Sequence, residues 1–399
     1  MHKKWSFSAA KLASVYFKLS TRLKSSGVRP KSPLGSRILT SPDDIFNHNT
    51  WDHVQWTEEE KENARQKAEE NSKIRLPLAE QGKFDTNACQ YWDTFYEQHQ
   101  DKFFKDRRWL FSEFPELFPS HSEERSSNAC CSNHQAGISI RSRSMTDTET
   151  GDPEHNDPIH HRPTTDLFHA QEAVQEHNEA ATQTSSFPGQ HASFRILEVG
   201  CGVGNSVFPI LNTIKGTDSF LYCCDFSPYA IKLFKEHPDY DDSVCHAFVH
   251  DICEDVASFP FPPQSLDVVL AVFVLSSIHP QRMQGVVNRL SAYLKPGGVF
   301  LFRDYGRYDL SQLRFKKGQC LSDHFYTRGD GTCVYFFTKE EVRDLFTNAG
   351  LEEVQNLADR RLQVNRRKKV VMHRVWMQSK YRKPYSSSQH SSVHPSVTE

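Results

Sequence analysis

Acidic residues are missing from both ends of this 399-residue chain: none precedes Asp43, and none lies between Asp359 and Glu399, although the formal charge of the whole is only −2. A near-neutral total excludes a general attraction to polyanions, so any nucleic-acid contact must come from local basic patches. No apolar run approaches the roughly 20 residues that span a bilayer as a helix. The ten cysteines contain no C-x-x-C spacing, and two of their pairs, Cys130-Cys131 and Cys223-Cys224, are adjacent. That excludes a zinc ribbon or a dithiol redox motif, and we expect reduced thiols, no structural metal and no membrane partner. Only 37% of residues are hydrophobic, enough for one good core but not for packing every segment.

The acid-free N-terminus carries Lys3, Lys4, Lys11, Lys18, Arg22, Lys24, Arg29, Lys31 and Arg37 among many serines. On a helical wheel Trp5, Ala9, Leu12, Tyr16, Leu19 and Leu23 share one face, and Lys4, Lys11, Lys18 and Arg22 lie on another. Basic, serine-rich and amphipathic without acids is the pattern of a mitochondrial presequence, here residues 1–35. The matrix is the expected location, with cytoplasm or nucleus as the alternative; a basic arm touching RNA is the competing reading.

Residues 43–119 read as a helical module dense in aromatics, with Lys102, Lys105, Arg107 and Arg108 interleaved among Phe103, Phe104 and Trp109. Residues 120–192 are polar and without periodicity, the composition of a disordered linker. From Ser193 strands and helices alternate, as a doubly wound α/β sheet requires. Strands are expected at 194–199, 219–224, 246–250, 266–272, 298–303, 332–337 and 369–377, the last two as an antiparallel closing pair. Helices follow over Gln281–Leu294 and Thr338–Ala349, the second opening with a Thr338/Glu341 capping box. The domain closes near residue 384, and 385–399 reads as a loose tail.

The first strand runs into Glu198-Val199-Gly200-Cys201-Gly202-Val203-Gly204. Glycines there let the backbone turn tightly and approach a ligand. Asp225 ends the second apolar run, near the ~20-residue distance at which a carboxylate meets a ribose, and Asp251 follows the third. Together they outline an adenosine pocket. A dinucleotide site wants G-x-G-x-x-G over a pyrophosphate. Here the glycines alternate behind the Glu198 carboxylate, which suits a cationic sulfonium and ammonium. S-adenosylmethionine therefore fits better than NAD.

Further motifs narrow the class: Phe103-Phe104-Lys105-Asp106-Arg107, Phe273-Val274-Leu275-Ser276 with His279-Pro280, Arg303-Asp304-Tyr305-Gly306, Phe325-Tyr326 with Arg328, and Asp330-Gly331-Thr332 with Tyr335-Phe336-Phe337. In combination the chain resembles the eukaryotic tRNA 3-methylcytidine methyltransferases, which modify cytidine 32 of the anticodon loop, over Asp43–Pro119 and Ser193–Pro384. The resemblance implies a class I, Rossmann-like methyltransferase with a seven-stranded, mostly parallel sheet and an N-terminal helical RNA-binding module. With the presequence it points to the mitochondrial member, acting on mitochondrial threonine and serine tRNAs, with a seryl-tRNA synthetase as a candidate partner. Carried over residue by residue, it implies that Trp92 and Tyr96 close over S-adenosylmethionine. Gly200 would contact its methionine end, Asp225 its ribose, Asp251 and Ile252 its adenine, Val272 would line the pocket, and Gly202 and Gly204 belong to the cofactor-binding set. Phe103, Arg107, Trp109, Arg303, Arg328 and Arg366 are the RNA candidates. The family has Asn at His324 and Arg at Cys333, so one RNA cation is expected to be missing.

Cytidine N3 carries an in-plane lone pair, so methyl transfer needs no general base. Asp304 is a candidate to stabilise the cationic product and His279 to position the base. The rival readings are a methyltransferase for a small molecule or protein, and a non-catalytic RNA-binding protein. The residues alone also predict that Asp225→Ala abolishes cofactor binding with little loss of fold.

Overall fold

Aliphatic runs after Ser193 form the middle of one sheet, in a computed structural model that describes residues 37–119, 186–256 and 258–385. The expected presequence, most of the expected linker and the tail beyond Tyr385 lie outside the described residues. The strands are β1 (Thr50–Trp51), β2 (Phe194–Val199), β3 (Ser219–Asp225), β4 (Cys245–Val249), β5 (Leu266–Val272), β6 (Leu294–Tyr305), β7 (Cys320–Ser322), β8 (Phe325–Thr327), β9 (Cys333–Tyr335), β10 (Glu352–Asn365) and β11 (Val370–Arg382). The helices are α1 (Glu58–Ser72), α2 (Leu78–Thr86), α3 (Ala88–His99), α4 (Leu110–Glu113), α5 (Val207–Ile214), α6 (Pro228–Lys235), α7 (Pro280–Tyr293), α8 (Leu310–Leu313) and α9 (Lys339–Thr347).

The large sheet runs β1-β10-β11-β6-β5-β2-β3-β4. Its β6-β5-β2-β3-β4 half is parallel, and β11, β10 and β1 continue it antiparallel. The expected seven strands are thus present in number, with the two-residue β1 added at one edge. The expected closing pair is corrected. Its first member is β10, while Cys333–Tyr335 lies in a separate three-stranded sheet, β7-β8-β9.

Alternation along the parallel strands sorts side chains to two buried faces. Leu197, Tyr222, Val269 and Phe300 pack with Val287 and Leu290 of α7 and Val342 and Phe346 of α9. Ile196, Leu221, Val268 and Leu301 pack with Val207 and Ile210 of α5 and Phe234 of α6. Leu110, Phe114 and Leu117 are fully buried in that second cluster. The N-terminal segment is therefore part of the same core, not a detachable module. The end of the expected linker is also corrected: Phe187 and Ala192 pack against the first cluster, and the Gly189 carbonyl accepts from Arg195 Nε at 3.0 Å.

Ionic contacts repeat that attachment. Arg361 on β10 reaches Glu113 at 2.8 Å and Asp52 at 3.4 Å, and Lys380 on β11 reaches Glu116 at 2.7 Å. The cations of the acid-free stretch after Asp359 therefore divide into two groups. Arg361, Arg374 and Lys380 are spent on internal carboxylates, while Arg366, Arg367, Lys368 and Lys369 stand exposed at the tip of the β10–β11 hairpin.

Arg303, expected to touch RNA, is 4% exposed on β6. Its guanidinium lies 4.8 Å from the Trp109 ring and 5.0 Å from the Trp376 ring, and pairs with Asp359 at 2.7 Å. Both Arg303 and Trp109 are structural, and neither is free to stack on a base. Arg303→Ala leaves Asp359 with Arg361 alone, at 3.0 Å, and should cost about 1.5–3 kcal/mol in urea unfolding. A loss below about 1 kcal/mol would contradict the structural role.

Candidate active site

The parallel strands end together, and their carboxyl ends form the floor of a cavity of about 550 Å³ lined by Gly200, Asp225, Asp251, Ile252, Phe273 and Val274. Gly200 and Gly202 have φ of 61° and 53°, the region that glycine adopts without penalty. A side chain at Gly200 would overlap Val274, and one at Gly202 would overlap the Tyr96 hydroxyl. Both positions therefore hold the backbone against residues of the cavity. Gly204 has another reason to be glycine: it abuts Phe208 and Phe234 in the core and does not line the cavity.

The Asp225 carboxylate accepts from Gly202 N–H at 2.9 Å and from Ser227 N–H at 3.0 Å. Burial pushes its carboxyl up to about 6, against those hydrogen bonds. It is thus the tie between the glycine turn and the following loop as well as a cavity wall. Its removal is therefore expected to cost stability as well as cofactor binding. Asp251 accepts from Cys253 N–H at 2.8 Å, an Asx turn that fixes the residues after β4. Ile252 is 7% exposed and shared between cavity and core.

The roof comes from α2 and α3. Trp92 and Tyr96, one helical turn apart on α3, both line the cavity with ring centroids 5.9 Å apart. Asp93 between them pins α3 to the floor. It accepts from Tyr229 N–H at 3.2 Å and from the Ser227 hydroxyl, close to Asp225. Such contacts across more than a hundred residues leave no local signal, so reading the residues did not find Asp93. The roof contributions of Phe84 and Asp85 and the wall contribution of His250 were missed likewise.

Arg107 is also corrected. Its side chain is 15% exposed and points inward, with Nη1 donating to Ser206 Oγ at 2.7 Å and lying 3.8 Å from Glu198. Its backbone N–H donates to the Asn205 carbonyl at 2.8 Å, and its guanidinium lies 5.6 Å from the cavity-lining Phe273 ring. Glu198 is 1% exposed, and burial pushes its carboxyl up to about 7 against the pull of Arg107. Arg107 thus braces the glycine turn and does not face outward to RNA.

Val272 is corrected too: its side chain is in the core, and Phe273, at φ 61°, takes its expected place on the wall. Asp304 is fully buried off the cavity wall, accepting from Ser276 N–H at 2.9 Å and Tyr305 N–H at 2.8 Å. Its place is beneath the loop after β5, which it holds, rather than against a bound base. His279 lines the cavity at the N-cap of α7, edge-on to Phe325 at 5.6 Å. Arg328 is half-buried and donates to Thr332 Oγ1 and the Cys333 carbonyl. Phe103 is 55% exposed beside Phe95, His99 and Phe104, and Arg366 is exposed, its Nε donating to the Phe46 carbonyl at 3.0 Å. His324 has φ 63°, a conformation asparagine enters readily. Cys333 lines the cavity, so that departure changes its wall. Among the described residues no His, Cys, Asp or Glu cluster could hold a metal, and no helix is long and apolar enough to cross a membrane.

These residues fit S-adenosylmethionine. The glycine turn brings bare backbone to the cavity, two carboxylates stand at successive strand ends, and aromatic rings cover them. Fold and site define a class I S-adenosylmethionine-dependent methyltransferase. Residues 197–300 match the family described as "Methyltransferase domain". The chain is 50% identical over 382 residues to the tRNA N(3)-cytidine methyltransferase METTL2 of Mus musculus, covering 94% of each. It is 50% identical over 368 residues to METTL2B of Homo sapiens, covering 90% of this chain and 95% of the relative. Against the Mus musculus relative named METTL8, mitochondrial, it is 49% identical over 262 residues, 64% of this chain and 91% of that one. The chain belongs to the tRNA N(3)-cytidine methyltransferases, and its activity is S-adenosylmethionine-dependent methylation of tRNA cytidine.

Asp225→Asn keeps the volume but cannot satisfy both backbone donors. Calorimetry should show S-adenosylmethionine affinity reduced by at least about tenfold, with about 1–3 kcal/mol of stability lost. Unchanged affinity would contradict the assignment. Glu198 gives a pH test. It titrates near 4.5 when unfolded and near 7 in the fold, so the fold binds the extra proton between those values. Its stability contribution therefore falls as pH rises through that window. Melts of the cofactor-free protein should show Glu198→Gln gaining on the wild type at pH 8 and not at pH 5. An equal difference at both would contradict the shift.

Proposed function

We propose that this enzyme forms N3-methylcytidine at position 32 of the anticodon loop, on mitochondrial threonine and serine tRNAs. The observation that carries the RNA reading is the exposed cation set. Arg366, Arg367, Lys368 and Lys369 form the hairpin tip, and Lys102, Lys105 and Arg108 flank the exposed Phe103. Cations of this kind hold phosphates, and an exposed ring stacks on an unpaired base. The acid-free, amphipathic first 35 residues support import into the matrix, and the relative named METTL8, mitochondrial, supports the compartment as an analogy. A seryl-tRNA synthetase is the partner we propose.

When bound, S-adenosylmethionine supplies an electrophilic methyl on a cationic sulfur. The chain's part is to align the cytidine N3 lone pair with that methyl and keep water out. A base in a folded loop must be splayed from its stack before its Watson–Crick edge can react. No side chain is required as a base, since N3 carries no proton to remove. The Phe273 and His279 rings on the cavity wall supply flat surfaces for a base.

Nucleoside mass spectrometry of purified mitochondrial tRNAs, with and without this protein, tests the reading. Loss of 3-methylcytidine from threonine and serine tRNAs is expected, and its loss only from cytosolic tRNAs would contradict the compartment. For the surface, replacing Arg367 and Lys368 by Ala should weaken tRNA binding and reduce its salt slope by about 1–2, while leaving cofactor affinity unchanged. An unaltered slope would remove the hairpin tip from the RNA contact.

A further inference from the structure

We propose that Arg282 is a positioning residue for the cofactor, and that with Asp85 it latches helix α2 over the cavity. The proposal rests on the assignment of that cavity to S-adenosylmethionine. Gln81, Gly82, Phe84, Asp85 and Thr86 of α2 all line the cavity, yet the helix has no fully buried side chain. Its N-cap, Pro77, supplies no side-chain bond, and Gly82 sits mid-helix with open space around it. Glycine there weakens the helix itself. α2 is therefore a wall of the site with few anchors of its own.

Its anchors are specific. Gln81 Nε2 donates to the Leu76 and Leu321 carbonyls at 2.8 and 2.9 Å, and Phe84 packs against the cluster of Leu321, Phe325 and Cys333. Across the cavity, Arg282 on the first turn of α7 pairs with Asp85 at 3.1 Å. Its other amino group donates to the Cys253 carbonyl at 3.5 Å. The Cys253 N–H in turn donates to Asp251. One guanidinium thus joins the roof to the turn that presents the second adenosine carboxylate.

Side-chain exposures of 37% for Arg282 and 47% for Asp85 make this an individually weak pair. Weakness suits the position. S-adenosylhomocysteine must leave and fresh cofactor enter at every turnover, so the roof has to open cheaply. The latch sets how long the cofactor stays, and the floor sets what is recognised.

The full-length protein is used for the test, with S-adenosylmethionine affinity by calorimetry and S-adenosylhomocysteine release by stopped-flow tryptophan fluorescence. Asp85→Asn and Arg282→Gln should each weaken affinity and speed release about twofold to fivefold, with kcat at saturating cofactor unchanged. Asp85→Arg alone should behave likewise, and adding Arg282→Asp should restore much of the loss, which a purely structural role would not do. Arg343→Gln, which breaks the Arg343–Glu353 pair between α9 and β10, neither residue lining the cavity, should leave both readouts unchanged. A wild type that fails to bind S-adenosylmethionine would overturn the cofactor assignment and the latch with it. Variants that match a binding wild type, or a swap that restores nothing, would overturn the latch alone.

Discussion

Arg107 and Glu198 meet at 3.8 Å inside the protein, and the rest of the site depends on that meeting. Taking both charges out of water is expensive, as the upward push on Glu198 and the downward push on Arg107 by burial record. The arrangement holds because Arg107 does more than neutralise. Its N–H and guanidinium bond Asn205 and Ser206, the residues that carry the glycine turn into α5. A residue from more than ninety positions earlier in the chain thereby fixes the backbone that follows the glycine turn.

From this follows a division of labour between two sides of one cavity. The floor is stiff: Asp225 ties Gly202 to Ser227, Asp304 ties Ser276 to Tyr305, and both carboxylates are buried. The roof is lighter, an amphipathic α3 pinned by Asp93 and an α2 with no fully buried side chain. The proposed latch between Arg282 and Asp85 assigns cofactor exchange to the roof, and the buried carboxylates make the floor the fixed side of the cavity. The same N-terminal segment that supplies the roof also fills one face of the sheet through Leu110, Phe114 and Leu117.

Much of the floor was legible from residue types alone, because strand ends, glycines and carboxylates at set distances leave local marks. Strands β2 to β6 and the capping box of α9 follow that rule. β10 escaped notice because it is charged and half exposed, and a register shift between Glu353 and Gln355 breaks its alternation. Cations were the least legible feature. Arg107, Arg303 and Arg361 look like an RNA surface when counted along the chain, yet each faces a carboxylate from a distant segment. Charge type is written in the sequence, but the partner that neutralises it is set by topology.

The central claim is that one cofactor is held jointly by the N-terminal helices and the ends of the parallel strands. Hydrogen exchange of the full-length protein, with and without S-adenosylmethionine, tests it most directly. Peptides covering 81–96 and 105–109 should gain protection together with those covering 200–205, 225–227 and 251–253. Protection confined to the strand-end peptides, with the N-terminal helices exchanging as before, would contradict the account.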